Sequence, residues 1–254
     1  MEREDDIVAF KEPKSPISEA YRSIRTNIQF SNIDKNIQTI LFTSSKQDEG
    51  KTTVVANMGV SFAALEGKKV LIIDADLRNP SIHRKFNLTN TYGLTEVLSG
   101  QKDLKKAIQN TEVNNLQILT TGKMPPNPSE MLESKKMKEF ARELEESYDY
   151  IFIDSPPIGV ITDAGSIANY SDATVLVVGS GETDIEMAKI TKLRLEKVKA
   201  NIIGVVLNKY VGEDGAYGYY SYCYEQNDGS RRARHKKKIK IKSLCTKNRQ
   251  ILST

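Results

Sequence analysis

Cysteine and long apolar runs are scarce in this chain, and their scarcity narrows its class. Two cysteines in 254 residues, Cys223 and Cys245, both in the polar C-terminal part, exclude a disulfide framework and point to a reducing compartment. No apolar run approaches the ~20 residues that a membrane span needs. The acidic opening Met1-Glu2-Arg3-Glu4-Asp5-Asp6 is not that of a signal peptide, so the expectation is a soluble, cytoplasmic protein. Net positive charge is also missing from most of the chain. After Tyr224 there are ten Lys or Arg and two acids, so of the 37 bases and 33 acids residues 1–224 keep 27 and 31. The body is therefore mildly acidic and the tail strongly basic beneath a net charge of +4. Aliphatic residues thin out over 210–224, where Tyr210, Tyr217, Tyr219, Tyr220, Tyr222 and Tyr224 supply six of eleven tyrosines among Gly, Ser and Asp. Such a segment cannot build a core and is expected to be disordered, its phenols exposed. A plain aromatic tail or a base-stacking surface is the alternative.

What the chain does contain is organised around residues 43–53, Thr-Ser-Ser-Lys-Gln-Asp-Glu-Gly-Lys-Thr-Thr, between the apolar Ile40-Leu41-Phe42 and a helix-forming stretch over 54–65. A strand, a tight loop and a helix aim backbone N–H groups and the positive end of the helix dipole at one point, where phosphate oxygens fit. Lys51 would neutralise terminal phosphates and Thr52 would offer a hydroxyl to Mg²⁺. Ser45 stands where the G-x-x-x-x-G-K-S/T pattern has its first glycine, so context has to carry the reading. Two further apolar runs supply it. Residues 69–73 end in Asp74-Ala75-Asp76-Leu77-Arg78, and residues 150–153 end in Asp154-Ser155-Pro156-Pro157. Carboxylates at strand C-termini lie where open α/β sheets hold their ligands, and an aspartate closing an apolar strand is the metal-supporting half of a phosphate-loop site.

The first fourteen residues lack periodicity and are expected to be mobile. Order should begin at Ser15, a helix N-cap followed by Pro16, with Ile17, Tyr21, Ile24 and Ile28 forming one apolar stripe. Glu19, Arg22 and Arg25 flank the stripe; Glu19 can pair with Arg22 while Arg25 stays free for another carboxylate. A helical patch over 82–86, a strand over 116–119, a Pro-rich loop Pro125-Pro126-Asn127-Pro128 and a helix over 129–147 follow. Strand, helix and strand then recur over 173–178, 183–198 and 202–207. The alternation predicts an α/β fold with a parallel, doubly covered sheet of the P-loop NTPase type, on one edge of which Lys51, Asp74, Asp76 and Asp154 converge. The expected divisions are a flexible 1–14, a nucleotide-binding domain over 15–209, the tyrosine cluster 210–224 and a basic tail 225–254.

Four features together resemble the bacterial tyrosine kinases of capsule and exopolysaccharide operons, in the form where the kinase is a separate chain: the Glu19-x-x-Arg22-x-x-Arg25 helix, the Lys51-Thr52 loop, Asp74-x-Asp76-x-Arg78, and the terminal tyrosines. Pro125-Pro126-Asn127-Pro128-Ser129-Glu130 also looks like that family's proline-rich stretch. The resemblance implies ATP and Mg²⁺, with Lys46, Glu49, Gly50, Lys51, Thr52, Thr53 and Asn208 at the nucleotide. It implies Thr52, Asp76 and Asp154 at the metal, and Lys51, Asp74, Asp76 and Arg78 in catalysis. It further implies autophosphorylation in trans at Tyr217, Tyr219, Tyr220, Tyr222 and Tyr224 within a ring, an octamer, assembled through Glu19, Arg22 and Arg25. The implied partner is a membrane-spanning polysaccharide co-polymerase that recruits the kinase to the inner face of the membrane, and no nucleic acid is expected. The basic run 231–242 could add contact with anionic lipid. A nucleotide-switched positioning ATPase is the alternative, because Lys46 stands five residues before Lys51; a catalytically weak ATP-binding scaffold is another, because Gln47-Asp48 replaces the family's usual Pro-Gly.

Overall fold

The computed structural model describes residues 7–31, 37–160 and 162–211. The tyrosines from Tyr217 to Tyr224 and the basic run 231–242 lie outside the described residues. In chain order the elements are α1 (Val8–Lys11), α2 (Pro16–Ser31), β1 (Thr39–Ser44), α3 (Lys51–Ala63), β2 (Val70–Asp74), α4 (Ile82–Lys85), α5 (Leu94–Leu98), α6 (Leu104–Ala107), β3 (Gln109–Asn110), β4 (Leu116–Leu119), α7 (Pro128–Glu133), α8 (Lys135–Glu145), β5 (Tyr150–Asp154), α9 (Asp163–Ala168), β6 (Ala173–Gly179), α10 (Ile185–Lys197) and β7 (Ile202–Asn208).

The strands form one sheet in the order β3-β4-β2-β5-β1-β6-β7. It is parallel except for the two-residue β3, which pairs antiparallel with β4 at one edge. The apolar runs of the sequence are continuous because each strand feeds two cores. Ile40, Phe42, Ile72, Tyr150 and Phe152 face one cluster with Phe62 and Met58 of α3. Leu41, Leu71, Ile73, Ile151 and Ile153 face the other with Met137, Phe140 and Leu144 of α8. The expected doubly covered α/β sheet is what forms. β1, β2 and β5 are neighbours, and the register sets Asp74 beside Asp154 and Phe42 beside Asp154.

Four local expectations are corrected. Residues 7–14 are not loose: α1 forms there, Ile7 is buried, the Ala9 N–H donates to Asn57 Oδ1 at 2.8 Å and the Ser18 hydroxyl donates to the Glu12 carbonyl at 2.7 Å. One turn held by tertiary contacts has no periodicity to read. Ile17 is 43% exposed although Tyr21 and Ile28 are buried; at the first turn of α2 the inward position belongs to Ser18, whose N–H donates to the capping Ser15 Oγ at 3.2 Å. The helix over 129–147 is two helices, because the Ser134 hydroxyl donates to the Met131 carbonyl (2.7 Å) and accepts from the Met137 N–H (3.1 Å), ending α7 and capping α8. Finally, α3 starts at Lys51 rather than Val54, directly after Gly50 in the left-handed region at φ +80°.

Candidate active site

The loop between β1 and α3 is shaped by the chain's own polar groups. Glu49 is buried, and its Oε2 accepts from the N–H groups of Ser45 (2.6 Å) and Lys46 (2.9 Å). Its Oε1 accepts from Gly179 N–H at 3.2 Å and from the Thr183 hydroxyl, tying the loop to the end of β6. Asn208 at the end of β7 donates from Nδ2 to the Glu49 carbonyl at 2.9 Å. A Cβ on Gly50 would lie 2.1 Å from that nitrogen, so both the positive φ and the close approach require glycine. Asp48 is left-handed too, at φ +62°, and its carbonyl accepts from Lys209 Nζ at 2.5 Å. Lys46 Nζ donates to the Glu182 carbonyl of the same chain at 2.6 Å. Thr53 lies in the first turn of α3, half-buried.

Inside the loop the expected residues converge. Lys51, buried, forms an ion pair with Asp154 Oδ1, while Thr52 Oγ1 donates to Asp154 Oδ2 at 2.7 Å. Asp74 is fully buried; its Oδ2 accepts from the N–H groups of Ser81 and Ile82, both at 3.0 Å, and its Oδ1 from Asp76 N–H at 3.3 Å. Burial pushes its carboxyl up to about 8, with the neighbouring Asp154 charge adding to the rise. Asp76 is also raised by burial, against the opposing pull of Lys51. It retains a little exposure, and its Oδ1 accepts from Asn79 N–H at 3.0 Å. Arg78, next along, is a third exposed and pairs through Nε with the buried Asp163 at 3.2 Å.

Sequence reasoning missed Ser81, Ser129, Asp163, Glu182, Thr183 and Lys209 as members of this neighbourhood. Ser81 donates its hydroxyl to Thr52 Oγ1 at 3.0 Å while its N–H holds Asp74, so it joins the two carboxylate-bearing strand ends to the loop. The one available signal was its position, at the end of the turn that follows the Asp74-to-Arg78 stretch. On α2, Arg22 Nη2 pairs with Glu19 at 2.6 Å as expected. Arg25 is not free for another carboxylate: it donates from Nη1 to the Ser61 carbonyl of α3.

A left-handed glycine, then a lysine and a hydroxyl opening a helix, set against two aspartates at adjacent parallel strand ends, define a P-loop nucleotide-binding domain. Comparison with known proteins narrows this. A family model described as an AAA domain matches residues 37–200. The tyrosine-protein kinase YwqD of Bacillus subtilis is 44% identical over 216 residues, covering 85% of this chain and 91% of that one. The crystal structure of the chimerical protein CapA2B2 superposes with a TM-score of 0.78 at 37% identity, covering 81% of this chain and 90% of that one. The septum site-determining protein MinD of Pyrococcus horikoshii, solved with Mg-ADP, follows at a TM-score of 0.59 and 28% identity, covering 70% and 72%. The chain belongs to the bacterial tyrosine-protein kinases built on this P-loop domain. That is the family its motifs resemble.

Proposed function

We propose that the chain transfers the γ-phosphoryl group of ATP to tyrosine hydroxyls, its own C-terminal cluster first, and thereby regulates the polymerisation and export of a capsular or extracellular polysaccharide. The observation that carries this is the meeting of Lys51, Thr52, Asp74, Asp76 and Asp154 at one sheet edge, in a chain whose relatives are named tyrosine-protein kinases. The residues fit the substrate. The N-terminus of α3, the left-handed Gly50 and Lys51 suit phosphate oxygens. They fit Mg²⁺ as well, since Thr52, Asp76 and Asp154 offer hard oxygen donors. Among the described residues no group of three His, Cys, Asp or Glu could hold a metal unaided, so the ion would complete its shell with phosphate and water. Bound there, Mg²⁺ would neutralise charge on the phosphates.

Lys51 would exchange Asp154 for phosphate oxygens. The tyrosine oxygen then forms the new bond to γ-phosphorus, the bond to the bridging oxygen breaks and leaves ADP, and the phenolic proton passes to a carboxylate. Asp76 suits that last role better than Asp74, because it keeps some exposure while Asp74 has both oxygens engaged by backbone N–H groups. Asp74 would fix the turn carrying Ser81 and Ile82. Glu49 and Asn208 would act on nucleotide through the shape of the loop they brace. Assembly into a ring through the Glu19-Arg22 pair of α2, with Arg25 anchoring that helix to α3, and recruitment by a membrane-spanning co-polymerase complete the reading. Among the described residues no helix is long and apolar enough to cross a membrane.

The test is to incubate the purified chain with ATP and Mg²⁺, with and without the cytoplasmic tail of a candidate membrane partner, and to map phosphotyrosine by mass spectrometry. Phosphate on Tyr217 to Tyr224 supports the kinase. ATP hydrolysis without phosphotyrosine under both conditions would return the reading to a positioning ATPase.

A further inference from the structure

Arg78 is held by two residues that come from distant parts of the chain. Its Nε donates to Asp163 Oδ2 at 3.2 Å and its Nη2 to Ser129 Oγ at 2.9 Å, and Ser129 Oγ in turn donates to Asp163 Oδ1 at 2.6 Å. The three side chains thus close a ring of hydrogen bonds. Ser129 stands directly after the Pro125-to-Pro128 run, in the first turn of α7, and Asp163 is the first residue of α9. Asp163 is 1% exposed, so its charge is compensated inside the protein, whereas the Arg78 side chain is 36% exposed. The turn that carries Arg78 is fixed as well: Asp76 Oδ1 accepts from the N–H of Asn79 at 3.0 Å. One edge of the guanidinium is engaged, Nη1 has no hydrogen-bond partner among the described residues, and Arg78 stands two residues along the chain from Asp76.

We propose that Ser129 and Asp163 are positioning residues that fix the guanidinium of Arg78 so that its free edge meets negative charge on the transferring phosphoryl group or on the incoming tyrosine substrate. This rests on the kinase reading above and assigns a role to the proline-rich stretch, which would serve to deliver Ser129. A planar fork gains from such fixing, because its geometry is preset and only its placement is free. Displacement by about 1 Å can cost on the order of 10²-fold in rate.

The experiment compares the full chain with Ser129→Ala, Ser129→Thr, Asp163→Asn, Arg78→Lys and the double variant Arg78→Lys/Asp163→Asn. It measures kcat and KM for phosphotyrosine formation, phosphate release from ATP, affinity for a fluorescent ATP analogue, and Tm. Ser129→Ala and Asp163→Asn are expected to lower kcat by about 10- to 100-fold with nucleotide affinity within about threefold. Ser129→Thr, which keeps the hydroxyl, should restore most of the rate. Asp163→Asn should add little in the Arg78→Lys background, because both act through one guanidinium. A lowered Tm with kcat intact, or full additivity of the two substitutions, would overturn the proposal. Failure of the kinase reading looks different: the parent would hydrolyse ATP without making phosphotyrosine, and the same coupling would then be read from phosphate release.

Discussion

Lys51→Met is the usual way to silence a phosphate loop, and here it should do more than remove a phosphate contact. Lys51 is the cation facing Asp154, which has no exposure, and Asp154 is the register neighbour of Asp74, also without exposure. Without the ammonium group, two buried carboxyl groups face each other with only Thr52 Oγ1 and backbone N–H donors around them. Removing one partner of a buried pair costs roughly 3–5 kcal/mol. For a domain of this size each kcal/mol moves Tm by about 2–4 °C, which gives a fall of roughly 6–20 °C for the nucleotide-free protein. Adding Asp154→Asn to Lys51→Met should return most of that loss, since it removes the stranded charge while leaving an oxygen for Thr52. Differential scanning calorimetry of the parent, both single variants and the double variant at pH 7.5 without Mg²⁺ checks this. A shift under about 2 °C for Lys51→Met, or a double variant no more stable than the single, would refute the reasoning.

Three further outcomes follow from the same geometry. Asp76→Asn should cut phosphotyrosine formation by ~10²–10⁴-fold, the usual worth of a general base, while Asp74→Asn should cost less in rate and more in stability, because both Asp74 oxygens accept backbone N–H groups and an amide nitrogen cannot; the opposite order of rates in a single-turnover assay would make Asp74 the proton acceptor. Asp48→Gly should tighten ATP binding, since it removes a carboxylate from the loop at a position, φ +62°, that glycine adopts freely, and equal or weaker binding of a fluorescent ATP analogue would show that the carboxylate points away from phosphate. Arg22→Glu places two like charges where Arg22 now pairs with Glu19 and should dissociate the assembly, whereas an unchanged mass by light scattering would reduce the pair to a solvated face.

Most of the fold was legible because continuous apolar runs, bounded by Gly, Pro and Asp, admit little besides buried parallel strands. β4 was expected with the bounds it has, β5, β6 and β7 each run one residue further at the C-terminal end, β2 is shifted by one residue, and β1 extends one residue before and two after the apolar run that announced it. The convergence of Lys51, Asp74, Asp76 and Asp154 was legible for the same reason: strand C-termini share an edge whatever their distance in sequence. What could not be read was held by side-chain hydrogen bonds between segments far apart. Asp163 meets Arg78 across 85 positions, and Thr183 meets Glu49 across 134. No local period or spacing encodes such pairs. Arg25 is the instructive case within a motif that was read: the spacing puts it on the charged flank of α2, yet the approach of α3 offers it a carbonyl, and the motif alone carries no trace of that choice.

The missing first glycine shows how a sequence pattern and a backbone requirement separate. The usual pattern asks for glycine at 45, but Ser45 does not have a positive φ, and what its environment demands is room above its carbonyl. The residue that gives way is Gly159, in the turn after Asp154: a Cβ there would lie 1.8 Å from the Ser45 oxygen. Arg194 of α10 holds that turn down by donating to the Ile158 carbonyl at 3.2 Å. The conformational freedom of glycine is needed at Gly50, where φ is positive and Asn208 leaves no space, while the other left-handed position is met by Asp48, a residue type that tolerates it. The loop therefore carries a serine at its first position, and the glycine that close approach requires is supplied by the segment packed on top of it.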